Sequence, residues 1–558
     1  MERNLVSLTR QAYDVLVIGG GIYGAFVAWE ASLRGLSVAL VEKGDFGSAT
    51  SANSLKTIHG GFRYLQNADF KRMRESIHER RTLMQIAPHL IHPLPVIVPT
   101  YGHGMKGKAA LAVALALNDA ISFDRNRLAD PQKHIPQGHV VSRERCQQLL
   151  PGVRSEGLTG GAIFYDAQVY NSERLILALL RSASQAGARL ANYVRVTDLL
   201  YQGSRIIGVR AEDQSDGQQF DLRARTVINT SGPWLAQVTG LLKQSTFPGP
   251  PLLSQAMNLV TTRPLFENYA VGLPSSGAAG SRFLFVAPWR GRSIIGTWYG
   301  VHPGNPDQFA LSEAQIQEFL AQINQSYPGA HLTRDQVAWV HGGLLPCDGV
   351  EHQTEEPKLT KHYQIYDHAR DGHPGMMSVV GVKYTTARDV AQKLVDRVCR
   401  SWGQKAPASI SAQTPVYGGQ IADFNEFLQG AIATECLSPE VTQRLVYNYG
   451  SAYPQVLSYL NGAAKETESQ TDSPPDSLAI IQAEVSYAVK EEMAQTLSDV
   501  IFRRTELGSA GYPGDRIVDV CARTLGQALG WDSARLEREI QTICQRYGVP
   551  VPRISLPT

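Results

Sequence analysis

The stretch YDVLVIGGGIYGAFVAWEASLRGLSVALVEKG, Tyr13 to Gly44, decides how the chain folds. Its first six residues are an apolar run of strand type, and LSVALVEKG is a second such run that closes on Glu42. Between them a glycine turn opens into a helix that ends near Gly35. Strand, helix and strand in that order predict a right-handed crossover and a parallel sheet. Gly19, Gly21 and Gly24 stand in G-x-G-x-x-G spacing at the turn, with Ile22 opening the helix. The first glycine permits the tight turn, the second lets the backbone approach a pyrophosphate, and the third lets helix and strand pack closely. The helix start then offers free N–H groups and positive dipole to the phosphates. Glu42 ends the second strand, where a carboxylate suits the 2′ and 3′ hydroxyls of an adenosine ribose. The unit reads as a dinucleotide site without distinguishing NAD from FAD.

The next segment begins to distinguish them. SATSANSLKTIHGGFRYLQ, Ser48 to Gln66, places Thr50, Ser51, Ser54, His59, Arg63 and Tyr64 in one short run. Its small hydroxyl-rich first half is placed to follow a pyrophosphate toward the far end of a cofactor. An NAD enzyme would usually continue here with another β-α unit. Two later strand-to-turn segments, VINTSGPW (Val227–Trp234) and VVGVKYTTARD (Val379–Asp389), can return backbone amides to the same ligand.

Composition narrows the rest. The 558 residues suffice for two or three domains, and 43% hydrophobic with 19% charged residues is globular. A formal charge of +2 implies no polyelectrolyte partner. Neither charge, zinc spacing nor motif supports nucleic-acid binding. The six cysteines form no CxxC and predict free buried thiols in a reducing compartment. The N-terminus runs into a strand without a signal-peptide pattern. The longest apolar run, Ala109–Ile121, is shorter than the ~20 residues of a membrane span and predicts a buried or surface-packed helix. The segment from Phe70 to Leu90 is spaced as a helix, and RFLFVAPWRGRSIIGTWYG as a hairpin turning at WRGR. Beyond about Pro407 the texture becomes mostly helical, with AAKETESQTDSPPDS as a polar insert.

These residues resemble the FAD-dependent glycerol-3-phosphate dehydrogenases of the glycine/D-amino-acid oxidase superfamily. The resemblance rests on Gly19–Gly24, Ala49-Thr50-Ser51 and Ile58-His59-Gly60-Gly61 with Arg63-Tyr64-Leu65. It rests also on Gly232-Pro233-Trp234, Pro288-Trp289, Ile295-Gly296-Thr297, and Lys383 with Thr385, Thr386 and Arg388. YNYGS and EVSYAVKEEMAQTLSDVIFRRTELG extend it into the C-terminal part. It implies an α/β fold: a Rossmann-like FAD-binding domain interleaved with an antiparallel-sheet substrate domain, then a C-terminal all-α domain. The expected division is residues 1–406 for the first two and 407–558 for the helical domain. Within 1–406 the FAD part takes roughly 12–100, 150–240 and 370–406, and the substrate part roughly 100–150 and 240–370.

The resemblance further implies that Gly19, Gly21, Ile22, Gly24 and Glu42 hold the ADP half of FAD, with Val194 near the adenine. Thr50, Ser51, Ser54, His59 and Gly232 follow the pyrophosphate and flavin. Gly381, Lys383, Thr385 and Thr386 close over the flavin's pyrimidine end. Expected catalytic residues are His59, Arg63, Tyr64, Lys383 and His341, with His59 and His341 unranked as the base that takes a hydroxyl proton. The implied reaction oxidises a secondary alcohol by hydride transfer to flavin N5, with electrons passed to quinone or another acceptor.

On the substrate side the chain departs from its relatives. Leu345 stands where the family carries a phosphate-clamping Arg, and Asn258 where it carries a His. Lys361 replaces a further Arg, and Trp298 and Tyr299 follow Thr297, which suggests an aromatic-lined pocket. Leucine offers no bidentate fork for a phosphate; Arg63 and Lys383 remain, and Arg282 or Arg290 are candidates to compensate. A different alcohol or amine substrate is therefore the alternative, and a flavin protein without turnover a third reading. The expected location is cytoplasmic, with room for a homodimer and for contact of the basic FKRMRESIHERR helix with the inner face of the membrane.

Overall fold

The structure is a computed structural model that describes residues 1–102, 107–243, 252–274, 283–351, 356–460 and 475–551; the side chains of residues 63, 66, 67 and 475–477 also lie outside the description. The predicted β-α-β unit is present. Tyr13–Ile18 runs parallel to Val38–Val41 on one side and to Gln219–Asn229 on the other. The sheet continues in parallel through Met376–Val380 beside Gln219–Asn229 and Arg189–Ala191 beside Val38–Val41, and Gln364–Asp367 closes it antiparallel to Met376–Val380. Its core strands read as unbroken apolar runs because helices cover them. Helix Ile22–Leu33 packs against helices Ser172–Gln185 and Ala387–Ser401. Its Ala25, Phe26, Val27, Ala28 and Trp29 are all buried, as expected of a helix apolar around its whole circumference.

The second sheet is almost wholly antiparallel. Its order runs from Pro357–Leu359 through Val337–Val350, Leu252–Thr261, Arg292–His302, Phe283–Trp289 and Ala270–Pro274 to Ile91–Tyr101 and Leu158–Val169. The predicted hairpin pairs Trp289 with Arg292 across Arg290 and Gly291, both with positive φ, the geometry of a two-residue hairpin turn. Some strands fall outside the expected division. Ile91–Tyr101 and Leu158–Val169, assigned by sequence to the FAD part, pair with each other and belong to this second sheet. Residues far apart in the chain make that pairing, so no local pattern reveals it.

The C-terminal part is helical from Phe424 onward, and most of the polar insert lies outside the described residues. The six cysteines are free, five of them buried and Cys436 exposed. A buried ionic network ties this domain to the cofactor-binding unit. Asp45, just past Glu42, accepts from both Arg503 and Arg504, including Arg504 Nη2 at 2.7 Å. Arg174 Nη1 pairs with Glu492 at 2.6 Å. Burial opposes the charge on Asp45, but Arg504 and Arg503 outweigh it and hold the carboxyl down to about 2. The stabilisation is complete above the ordinary carboxylate range and is lost as pH falls through the folded value. Asp45→Asn leaves two buried guanidiniums under-compensated and should cost about 3–5 kcal/mol, read from urea denaturation at neutral pH.

Candidate functional site

A cavity of about 1680 Å³ lies between the two sheets, larger than the roughly 300–1,000 Å³ of an ordinary small-ligand site. Gly19, Gly21, Ile22, Glu42, Thr50, Ser51, Ser54, Val194, Gly232, Gly381 and Lys383 all line it. Gly24, His59, Thr385 and Thr386, also expected at the cofactor, do not line it.

The glycine turn is shaped for close approach. Gly19 has φ +104°, and a Cβ there would lie 2.8 Å from Thr230 O. A Cβ on Gly24 would lie 1.8 Å from Gly19 O, so the third glycine fixes how tightly the helix sits on the turn. Gly21 caps helix Ile22–Leu33 without a side-chain hydrogen bond, and Ser51 Oγ accepts from Ile22 N at 3.0 Å. A helix start facing a cavity in this way suits an anion. Glu42 accepts from Gly20 N at 2.7 Å and Gly44 N at 2.9 Å, one on each carboxylate oxygen, leaving lone pairs for hydroxyl donors. Thr50 is tied to the facing strand, donating to Leu344 O at 2.8 Å. A glycine cradle, an anion-binding helix start and an acidic wall together fit FAD.

At the other end, Tyr23 links the glycine helix to the Gly381–Lys383 turn. Its hydroxyl accepts from Val382 N and Lys383 N, each at 3.2 Å, and donates to Lys383 O at 2.8 Å. Burial pushes the phenol up to about 12, so it remains a donor. Lys383 Nζ sits 4.2 Å from the Tyr64 ring centroid. Thr385 and Thr386 are buried, and Thr385 Oγ1 accepts from His59 N at 3.2 Å.

The two candidate bases separate clearly. The His59 side chain is 49% exposed, and its Nδ1 lies 2.9 Å from Asp166 Oδ2. Asp166 also accepts from Gly60 N at 2.6 Å and Arg80 Nη1 at 3.3 Å. Burial opposes its charge, but His59, Arg80 and the Gly60 N–H outweigh it and keep the carboxyl below the usual range. An ionised partner on Nδ1 orients the ring with Nε2 as the open nitrogen. His341 is only 1% exposed and borders a separate small cavity. Burial, with Lys56 and Arg290 nearby, pushes it well below its ordinary value, and its Nδ1 meets Asn53 Oδ1 at 3.1 Å. Neither histidine lines the large cavity; His59 is the one with an exposed ring.

Several substrate-side expectations change. Trp298 is 8% exposed within the core of the antiparallel sheet, and neither it nor Tyr299 lines the cavity. Leu345 does line it. Asn258 is engaged on both amide groups, donating to Asn53 O at 3.0 Å and accepting from Thr297 Oγ1 at 2.8 Å. Arg290 is committed to Ser509 Oγ and Glu506 O, which removes it as a compensating cation. Lys361 is exposed. Arg282 and the Arg63 side chain lie outside the described residues. The basic helix Phe70–Ile86 spends its arginines internally: Arg74 and Arg81 on Asp124, Arg80 on Asp166, Arg72 on Asp69. Asp166 and Tyr23 were missed by sequence reasoning; only the tyrosine inside GGGIYG carried a local signal.

Residues 14–388 match the family described as DAO, FAD dependent oxidoreductase, and residues 409–536 match the C-terminal domain of alpha-glycerophosphate oxidase. A glycerol-3-phosphate dehydrogenase from Synechocystis sp. is 32% identical over 551 residues, covering 97% of each chain. The mitochondrial glycerol-3-phosphate dehydrogenase of Homo sapiens is 29% identical, covering 97% of this chain and 74% of its own. The solved glycerol-3-phosphate dehydrogenase from Bacillus halodurans, complexed with FAD, shares the fold with a TM-score of 0.76. It is 24% identical and covers 99% of this chain and 98% of its own.

Proposed function

Because the chain belongs to the FAD-dependent glycerol-3-phosphate dehydrogenase family, we propose that it oxidises a secondary alcohol of the glycerol 3-phosphate kind and delivers the electrons to quinone or another acceptor. When bound, FAD supplies the two-electron acceptor for such chemistry. The glycine turn, Ser51 and Glu42 hold the cofactor's ADP half, and Gly381 with Lys383 hold its other end. His59 Nε2 takes the hydroxyl proton, and Asp166 keeps that nitrogen open by bonding Nδ1. The Lys383 ammonium supplies positive charge at the same end. Arg63 and Tyr64 belong to this side of the proposal through their place beside His59 in the chain. The His59–Asp166 pair is the observation that carries the reading, since it gives one histidine a fixed tautomer and an accessible nitrogen.

A second reading, another alcohol or an amine on the same scaffold, draws support from Leu345 on the cavity wall and from Asn258 with both amide groups engaged. Losing a charge-assisted phosphate contact typically weakens binding by about 2–5 kcal/mol. Anaerobic mixing of the yellow protein with glycerol 3-phosphate, glycerol, other polyols and amines separates the two. Bleaching of the visible flavin band by glycerol 3-phosphate supports the first reading. Bleaching only by an unphosphorylated alcohol or an amine supports the second.

Peripheral membrane contact belongs to the same proposal but moves to another helix. No helix among the described residues is long and apolar enough to cross a membrane. Helix Lys108–Ile121 buries only Leu115 and leaves Val113 70% and Leu117 43% exposed, with Phe123 70% exposed just beyond. An apolar face with Lys108 and Arg127 beside it suits an anionic bilayer surface. Replacing Val113 and Leu117 together by Glu should abolish co-sedimentation with anionic vesicles and leave flavin content unchanged.

A further inference from the structure

We propose that Asp307 latches the segment 302–311 across the cofactor cavity and so sets how long FAD stays bound; the proposal rests on the FAD reading of that cavity. After strand Arg292–His302 the chain crosses to helix Glu313–Ser326, and His302, Pro303, Gly304, Pro306, Asp307 and Phe309 line the cavity on the way. The Asp307 carboxylate takes three donors from the opposite wall. Lys43 Nζ at 2.7 Å and Trp234 Nε1 at 2.6 Å reach Oδ1, and Gln237 Nε2 at 2.7 Å reaches Oδ2.

The donors come from both segments that carry the cofactor side of the cavity. Lys43 directly follows Glu42, and Trp234 and Gln237 follow Gly232. Lys43 Nζ also stands 4.1 Å over the Trp234 ring. Within the crossing segment, Asn305 Oδ1 accepts from Asp307 N at 2.9 Å and His302 Nε2 meets Asn305 O at 3.1 Å, and Asn305 Oδ1 also accepts from Gln237 Nε2 of the opposite wall at 3.0 Å. Asp307, with Asn305 beside it, is the segment's fastening to the other wall. Burial opposes the Asp307 charge, but the Lys43, Gln237 and Trp234 hydrogen bonds outweigh it and hold the carboxyl below its ordinary value.

An isolated surface ion pair contributes little. Here one carboxylate joins three donors from the far side of a ligand cavity, so its loss removes most of the polar fastening and leaves the Gln237–Asn305 bond. The pair is also partly exposed, with side-chain exposures of 35% for Lys43 and 47% for Asp307. Such a fastening can open without unfolding the domain, and it is open to screening by salt.

The test is the release rate of FAD from the yellow protein, followed by flavin fluorescence after dilution into an excess of a flavin-scavenging apoprotein. Asp307→Ala should accelerate release about tenfold. Raising the salt from about 0.05 to about 1 M should accelerate release from the unaltered protein and have little effect on the variant. Asp221→Ala, which removes the remote exposed pair with Arg210, should change nothing. Release from Asp307→Ala within about twofold of the unaltered rate would overturn the latch. Slower release would overturn it too, because it would mean that the carboxylate faces and repels the cofactor's phosphates. A protein that holds no FAD even after reconstitution would instead fail the cofactor reading, and the latch with it.

Discussion

Gly24→Ala should yield a folded but colourless protein. The added Cβ would stand 1.8 Å from Gly19 O and 2.9 Å from Thr230 Oγ1. The first contact is backbone, so no side-chain rotation relieves it. Thr230 Oγ1 is itself committed, donating to Ile18 O at 2.9 Å and Gly19 O at 3.2 Å. Helix Ile22–Leu33 must then lift from the turn, carrying the Ile22 N–H away from Ser51 and opening the cradle. Overpacking of this kind typically costs about 1–3 kcal/mol of stability, which a domain this size survives. The bound-flavin ratio should fall from near one per chain to below detection while far-ultraviolet circular dichroism keeps its native shape. A fully yellow Gly24→Ala protein would show that the cofactor does not sit on this turn.

His59→Gln carries the second large effect. The ring is half exposed and meets Asp166, so its removal should leave fold and flavin content unchanged. The rate of flavin reduction by the true donor should fall by about 10²–10⁴, the usual worth of a positioned general base. His341→Asn removes a fully buried ring instead, so its effect should fall mainly on stability. The reverse pattern, reduction lost with His341→Asn and retained with His59→Gln, would exchange the two assignments.

The parts of this structure legible in the sequence are those with a local period or a local turn. Tyr13 to Gly44 announces its strands, helix and cradle because each depends on neighbours in the chain. The WRGR hairpin and the Phe70–Ile86 helix are read for the same reason. The apolar run at Ala109–Ile121 forms the expected helix, but composition alone could not tell that Val113 and Leu117 face outward. Long-range pairing was not legible. Ile91–Tyr101 joins the second sheet through Leu158–Val169, and nothing within either strand says so. Asp166 finds His59 across 107 residues, and Asp307 finds Lys43 across 264. The basic helix misled for a related reason: its arginines looked available for an anionic surface, whereas distant carboxylates take them up. Trp298 misled through strand alternation, since its side chain points into the sheet core.

The cofactor assignment can be examined directly by a crystal structure of the yellow protein. The account predicts continuous FAD density along the large cavity. The pyrophosphate should lie against Gly19–Gly21 and the start of helix Ile22–Leu33, the adenosine ribose on Glu42, and the flavin ring by Gly381 and Lys383. Flavin density elsewhere, or the ring at the Glu42 end, would contradict it.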